Sequence, residues 1–239
     1  MNTIDKLRAD IKKAFNEDTF QNGAPQISIS PSKNFRLVAT EFWLKESNWD
    51  LTKFEVYDQK SNLKIFNFFI NDGQYFYGWL LNTGIEYLIC AEDIYGGQTV
   101  ADLTNIKIAG YSPNENGFIW TDFYLSPDGK TLATIGCYWA CPFVIKLFDF
   151  SDPMILPLTE IKEIALLGND EIIVGWLDNE TLKMKGVQRK RGQEYNVDGE
   201  IVTRTLSEID VEREIKINDV SKKLVVVQTP ISKPWWKFW

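Results

Sequence analysis

One self-similarity constrains this chain more than any local motif: a tight turn followed by an apolar strand recurs along most of its length. Ser30-Pro31-Ser32-Lys33 leads into Phe35-Arg36-Leu37-Val38-Ala39, and Ser126-Pro127-Asp128-Gly129-Lys130 leads into Thr131-Leu132-Ala133. The two Ser-Pro pairs are about 96 positions apart, two periods of roughly 48. Weaker copies stand at Leu81-Asn82-Thr83-Gly84 before Tyr87-Leu88-Ile89, and at Leu167-Gly168-Asn169-Asp170 before Ile172-Ile173-Val174. A second element keeps phase with the first. Tyr57-Asp58 precedes Ser61-Asn62, Ala101-Asp102 precedes Thr104-Asn105, and Phe148-Asp149 precedes Ser151-Asp152. Each follows a β-rich run and supplies turn-forming side chains. The predicted unit is a four-stranded antiparallel sheet of roughly 41 to 51 residues, with strands a to d joined by a tight turn, a longer loop and a second turn.

The stretch Ser126 to Ala133, with Phe148-Asp149-Phe150-Ser151-Asp152-Pro153 downstream, resembles a blade of the WD40-like and TolB-type β-propellers. The resemblance implies that the Pro-Asp-Gly turn joins strands a and b and that the aromatic-Asp pair closes strand c. It covers about two thirds of the chain: units at roughly 26–70, 75–112 and 118–161 match, and one at 163 to about 205 matches in its first half. The Gly-His pair of the family is absent, because the chain has no His. Its buried hydrogen-bond network to the strand c Asp cannot form here. Four units, or five if 209–228 adds strands, stand at the low end of the usual 4 to 8 blades. An open stack, its edges covered by another element, is the alternative to a closed ring.

Ile4, Leu7, Ile11 and Phe15 recur every third or fourth position and predict an amphipathic helix over about 3–15. Asn22, Gly23 and Pro25 end it. The expected organisation is an N-terminal helix segment, 1–22, a propeller-like β domain, 23–229, and an aromatic tail, 230–239. The fold class is all-β with one helix, and that helix is a candidate to cover an open sheet edge.

Composition narrows the function classes. No stretch is long and apolar enough for a membrane span, and the opening residues lack the apolar core of a signal peptide. A soluble, cytoplasmic protein is expected. Three cysteines, Cys90, Cys137 and Cys141, favour reduced thiols over a disulfide framework. A net charge of -7 and a pI near 4.8 argue against nucleic-acid binding and favour a basic protein partner. Membrane contact is not expected. With no His, Ser-His-Asp and Cys-His nucleophile pairs are excluded and the commonest transition-metal ligand is missing. Neither a metal nor a cofactor is expected.

Candidate sites follow from the unit. The loop between strands b and c carries Trp43 and Trp49 in the first unit, Tyr95 in the second, and Tyr138 and Trp139 in the third. The b–c and d–a connections of the implied propeller emerge on one face, so these aromatics are predicted to gather on one rim with Tyr75, Tyr111 and the turn at Asn114. Trp and Tyr are hot-spot residues, so this rim is the candidate binding surface; end caps for the inter-sheet cores are the bland alternative. Trp79, Trp120 and Trp176 lie inside predicted strands and are expected to pack cores. Cys137 and Cys141 flank the third loop, where packing of small side chains competes with a disulfide or a metal site completed by Cys90. Glu92, Asp93 and Asp122 offer the one carboxylate set for a hydrolase acting on a sugar or another neutral molecule, without supporting spacing. Lys183, Lys185, Arg189, Lys190 and Arg191 form a basic cluster read as a solvated hairpin tip. Trp235, Trp236 and Trp239 end the chain beyond two prolines, as a self-docking segment, a partner motif, an interfacial anchor or an assembly element. The leading expectation is a non-enzymatic protein-binding module, one concrete form being an immunity-type inhibitor of a basic protein.

Overall fold

The computed structural model describes residues 3–15, 19–45, 48–73, 75–93, 95–115, 117–139, 141–166, 171–195 and 201–218. The aromatic tail, the turn predicted at 167–170 and the chain from 219 onward lie outside them. The chain divides into two compact units, Met1–Ile164 and Ala165–Trp239.

The first unit begins with α1 (Thr3–Ala14) and continues as three antiparallel sheets in chain order. Sheet one contains β1 (Thr19–Gln21), β2 (Gln26–Ile29), β3 (Phe35–Leu44), β4 (Trp49–Asp58) and β5 (Lys64–Ile70). Its strand a is split: β2 pairs with the first half of β3 and β1 with the second, around the break at Gly23. Sheet two is β6 (Tyr77–Asn82), β7 (Ile85–Ala91), β8 (Gln98–Asp102) and β9 (Lys107–Tyr111), in that spatial order. Sheet three is β10 (Ile119–Leu125), β11 (Thr131–Cys137), β12 (Val144–Asp149) and β13 (Glu160–Ala165), likewise a meander. The repeating sheets read from the sequence are therefore present, in an all-β, propeller-like fold with one N-terminal helix.

The repeated residues build the same turn twice. In sheet one the Ser30 amide donates to Phe35 O (3.0 Å), Lys33 N–H to Ser30 O (2.9 Å) and Phe35 N–H to Ser30 Oγ (3.2 Å). In sheet three Ser126, Gly129 and Thr131 make the same three bonds at 2.8, 2.9 and 2.9 Å. The strand c aspartates also act alike. Asp58 accepts from the Ser61 amide and hydroxyl, Asp102 from the Asn105 amide and side chain, and Asp149 from the Ser151 amide. A short carboxylate that captures an amide two or three residues on closes the c–d turn without the missing His network.

Stacking of the sheets supplies the core. Leu37, Ala39, Phe54, Val56, Phe68 and Ile70 of sheet one pack on Leu88, Cys90 and Ala101 of sheet two. The other face of sheet two places Tyr87, Ile89, Ala91 and Val100 against Trp120, Leu132 and Phe148 of sheet three. Sheet two is buried on both faces, which is why β7 is an unbroken apolar run from Tyr87 to Ala91 rather than an alternation. Full burial of a side chain such as Phe54 or Leu88 contributes about 1.5–3 kcal/mol. Trp120 is fully buried, as expected; its indole N–H has no hydrogen-bond partner, so ring packing on Phe123 and Phe148 decides its place. Trp79 is half-buried at the core between sheets one and two, and its indole N–H donates to Ser28 Oγ at 2.8 Å.

Helix α1 packs against β5 and β9, the outer strands of sheets one and two, with Ile4 and Ile11 buried. It thus lies along two sheet edges, as expected of a covering element. Arg8 reaches inward to a buried glutamate, Glu92.

The second unit contains a three-stranded meander: β14 (Ile172–Trp176), β15 (Thr181–Tyr195) and β16 (Ile201–Lys216). Here the sequence expectation needs correction. The cluster from Lys183 to Arg191 is not a hairpin tip; it runs along the middle of β15, which pairs with β16 from Thr181↔Lys216 to Tyr195↔Ile201. The flanking glycines, Gly186 and Gly192, are strand residues, and β16 brings acids opposite the bases: Lys183 meets Glu212 at 2.9 Å and Arg189 meets Glu208 at 2.8 Å. Opposite charges across a ladder stabilise the pairing. Trp176 ends β14, half-buried.

Candidate functional site

The loop after β7 is held from three sides. Asp93, nearly buried, accepts the amides of Tyr95 (3.0 Å) and Gly97 (2.7 Å) through one oxygen. The amide of Glu92 donates to Gly97 O, and Asn71 donates to Glu92 O at 2.8 Å. The connection between β9 and β10 then seals the loop, since the Gly117 amide donates to Tyr95 O at 2.7 Å. Gly96 has φ of +91°, and a Cβ there would stand 2.7 Å from the Gly117 Cα, so no other residue fits. What remains outside is the Tyr95 ring, 47% exposed.

The loop after β11 is braced differently. Its turn closes through the Cys141 amide donating to Tyr138 O at 2.9 Å. Beneath it lies Lys146 of β12, whose side chain is almost wholly buried. Its ammonium donates to the Tyr138 hydroxyl (2.7 Å) and Glu160 (2.5 Å) and lies 3.3 Å from Glu163. It also sits 5.1 Å from the Phe118 ring centroid and 5.0 Å from that of Tyr138. Burial works against the charge, but the bonds to Glu160 and Tyr138 prevail and hold its pKa above the ordinary lysine range.

These two braced loops converge. The rings of Tyr95 and Trp139 lie 6.4 Å apart, tilted by 44°, with Trp139 54% exposed. Tyr138, the chain neighbour of Trp139, turns to Lys146 and stands edge-on to Phe118 at 5.6 Å. The structure therefore joins Tyr95, Tyr138 and Trp139 of the predicted set. Trp43 and Trp49, at the facing ends of β3 and β4, are partly exposed but make no ring contact with that group; Trp43 pairs with Phe20 instead, at 6.4 Å. Tyr75 is not a rim residue: it packs on Phe54 and Tyr77 with its hydroxyl buried. Trp235, Trp236 and Trp239 lie outside the described residues.

The remaining candidates find local roles. Glu92 is buried and takes the Arg8 guanidinium at 2.5 Å, together with the Thr99 hydroxyl. Asp122 lies in β10, bonded to its neighbour Thr121. Cys90 is buried in the core between sheets one and two, its thiol pKa pushed well up by burial, whereas Cys137 and Cys141 flank the rim turn. Among the described residues no group of three or more Cys, Asp or Glu could hold a metal ion. Nor, among them, is any helix long and apolar enough to cross a membrane.

Two supports escaped the sequence reading. Lys146 is visible only as a lone cation within the apolar run Phe143 to Phe150, and Asp93 as an Asp followed by Gly96-Gly97, a turn signal.

No family model matches the chain. A curated protein, the uncharacterised R762 of Acanthamoeba polyphaga mimivirus, is 26% identical over 127 residues, 52% of this chain and 50% of that protein. The chain thus spans about half the length of the curated relative it matches. Among solved structures, hydrazine synthase of Kuenenia stuttgartiensis aligns at a TM-score of 0.46 and 13% identity, over 80% of this chain and 62% of that one. TolB from Acinetobacter baumannii aligns at 0.34 and 10% identity, over 90% and 70%.

Proposed function

We propose that this chain is a non-enzymatic protein-binding module whose recognition surface is the rim of Tyr95, Tyr138 and Trp139. The observation that carries the reading is the pairing of two half-exposed rings on loops rigidly held from beneath. Rigid aromatics deliver contact area with little entropy lost on binding. The hydrolase alternative needs carboxylates from Glu92, Asp93 and Asp122 acting together, yet Glu92 is bound to Arg8 and Asp93 to two loop amides, which leaves Asp122 without a partner acid. The finer form is an inhibitor of a basic partner, supported by the net charge of -7 and by Glu160 and Glu163 near the rim. Electrostatic attraction of this kind accelerates association and weakens with salt.

The test is quantitative capture by wild type and by Tyr95→Ala/Trp139→Ala, followed by purification of any captured protein and titration of the pure pair. The proposal expects a basic protein whose affinity falls at least about tenfold in the double variant, the loss typical of a hot-spot pair. An unchanged affinity with an intact fold would remove the rim from the account.

A further inference from the structure

Three glutamates are buried among the described residues, and they are not treated alike. Glu92 is paired with Arg8, and Glu171 with Arg213, whose Nη2 lies 2.7 Å from its carboxylate. Glu86, only 2% exposed, has no cation. Its side-chain partners are the Ser32 hydroxyl at 2.5 Å and the Ser32 amide at a long 3.3 Å. A carboxylate whose protein partners are neutral donors forms stronger, charge-assisted hydrogen bonds with a cation that reaches it.

Glu86 also borders a cavity of ≈ 280 Å³ at the turn end of sheets one and two, opposite the rim loops. Its walls are the a–b and c–d turns of sheet one, represented by Ser32, Asn34 and Asp58, and the a–b turn of sheet two, represented by Leu81 and Gly84; Thr104 completes it. The walls are fixed. Gln59 N–H donates to Asn34 O at 2.7 Å, Leu103 N–H to Glu86 O at 2.9 Å, and the Glu86 amide to Thr104 Oγ1 at 3.0 Å. Gly84, at φ +83°, leaves open space where a side chain would stand. Two carboxylates, Asp58 and Glu86, outnumber the single lysine, Lys60, so the lining favours a cation.

We infer that this cavity is a binding site for a small organic cation, an ammonium or guanidinium group whose N–H donors reach Glu86. The volume falls just under the roughly 300 Å³ at which small-molecule sites begin, which suits a ligand of a few heavy atoms. A bare metal ion is a poorer match, because two carboxylates in a cavity this wide supply too few close oxygens. The site shares no residue with the rim, so its success or failure leaves the binding proposal where it stands.

The experiment titrates the purified full chain with butylguanidinium, butylammonium and the uncharged isostere butylurea, by calorimetry and by amide chemical shifts. The cations are expected to saturate, with shifts centred on Ser32, Asn34, Gly84 and Thr104, and butylurea to bind at least about tenfold more weakly. Glu86→Gln should abolish that preference. Leu81→Trp changes a half-exposed side chain at the mouth and should block all three probes without disturbing the core. Equal binding of butylurea, cation binding that survives both substitutions, shifts produced by calcium alone, or no saturation by about 10 mM would each overturn the inference.

Discussion

Lys33 and Gly129 occupy the same place in two copies of one turn, with φ of 64° and 74° and the same backbone bond to the serine three residues back, Ser30 or Ser126. The left-handed conformation costs a side-chain-bearing residue about 1–2 kcal/mol, and glycine loses about 0.5–1 kcal/mol more chain entropy on folding. Lys33→Gly should therefore lie within about 1 kcal/mol of wild type, on the stabilising side. Gly129→Ala should cost about 2–3 kcal/mol, because a Cβ would also collide with the Asn82 side chain that donates to Gly129 O. Urea midpoints of the two variants measure the asymmetry, and equal effects would contradict the common turn.

The turn aspartates make the fold sensitive to acid. The Ser61 hydroxyl lowers the pKa of Asp58, the Ser126 hydroxyl that of Asp128, and the Ser151 amide that of Asp149. Each carboxylate is more acidic folded than unfolded, so its stabilisation is present above the unfolded value near 4 and disappears as pH falls through the folded one. Asn at all three positions keeps an oxygen acceptor but cannot titrate. The triple variant is expected to lose stability less steeply than wild type below about pH 4, read from unfolding midpoints across pH.

Glu92 runs in the opposite direction. Burial raises its pKa more than the Arg8 hydrogen bond lowers it, so the folded state holds this proton more tightly than the unfolded chain. Its ionisation reduces stability as pH rises from the unfolded glutamate value to the raised one. Arg8→Met strands that carboxylate and should cost about 3–5 kcal/mol, whereas Arg8→Met/Glu92→Met should recover most of the loss. A double-mutant cycle by chemical denaturation gives the comparison; additive losses would refute the pairing.

Lys146 predicts a second asymmetry. Glu160 and Glu163 are about half exposed, so after Lys146→Met both return to water, at a cost of about 1.5 kcal/mol or less. Glu160→Gln/Glu163→Gln instead leaves a buried ammonium without a counter-charge and should cost about 3 kcal/mol. Lys146→Met should also broaden or shift the Tyr138 ring resonances, because the hydroxyl loses the donor that orients it.

Some of this molecule was written in short stretches of its residues. The helix followed from the spacing of Ile4 and Ile11, the turns from Ser30, Ser126 and the strand c aspartates, and the strand β7 from the apolar residues after the turn at Asn82. Those signals are legible because the bonds they encode close within about five residues, where side-chain chemistry alone selects the backbone conformation. Tertiary structure decided the rest. Arg8 meets Glu92 across 84 positions, Tyr95 reaches Trp139 from a neighbouring sheet, and the basic run of β15 finds its acids on β16. Which of the predicted aromatics touch depends on how the sheets stack and how loops are propped from below, and that geometry arises from packing of apolar faces that no local pattern specifies.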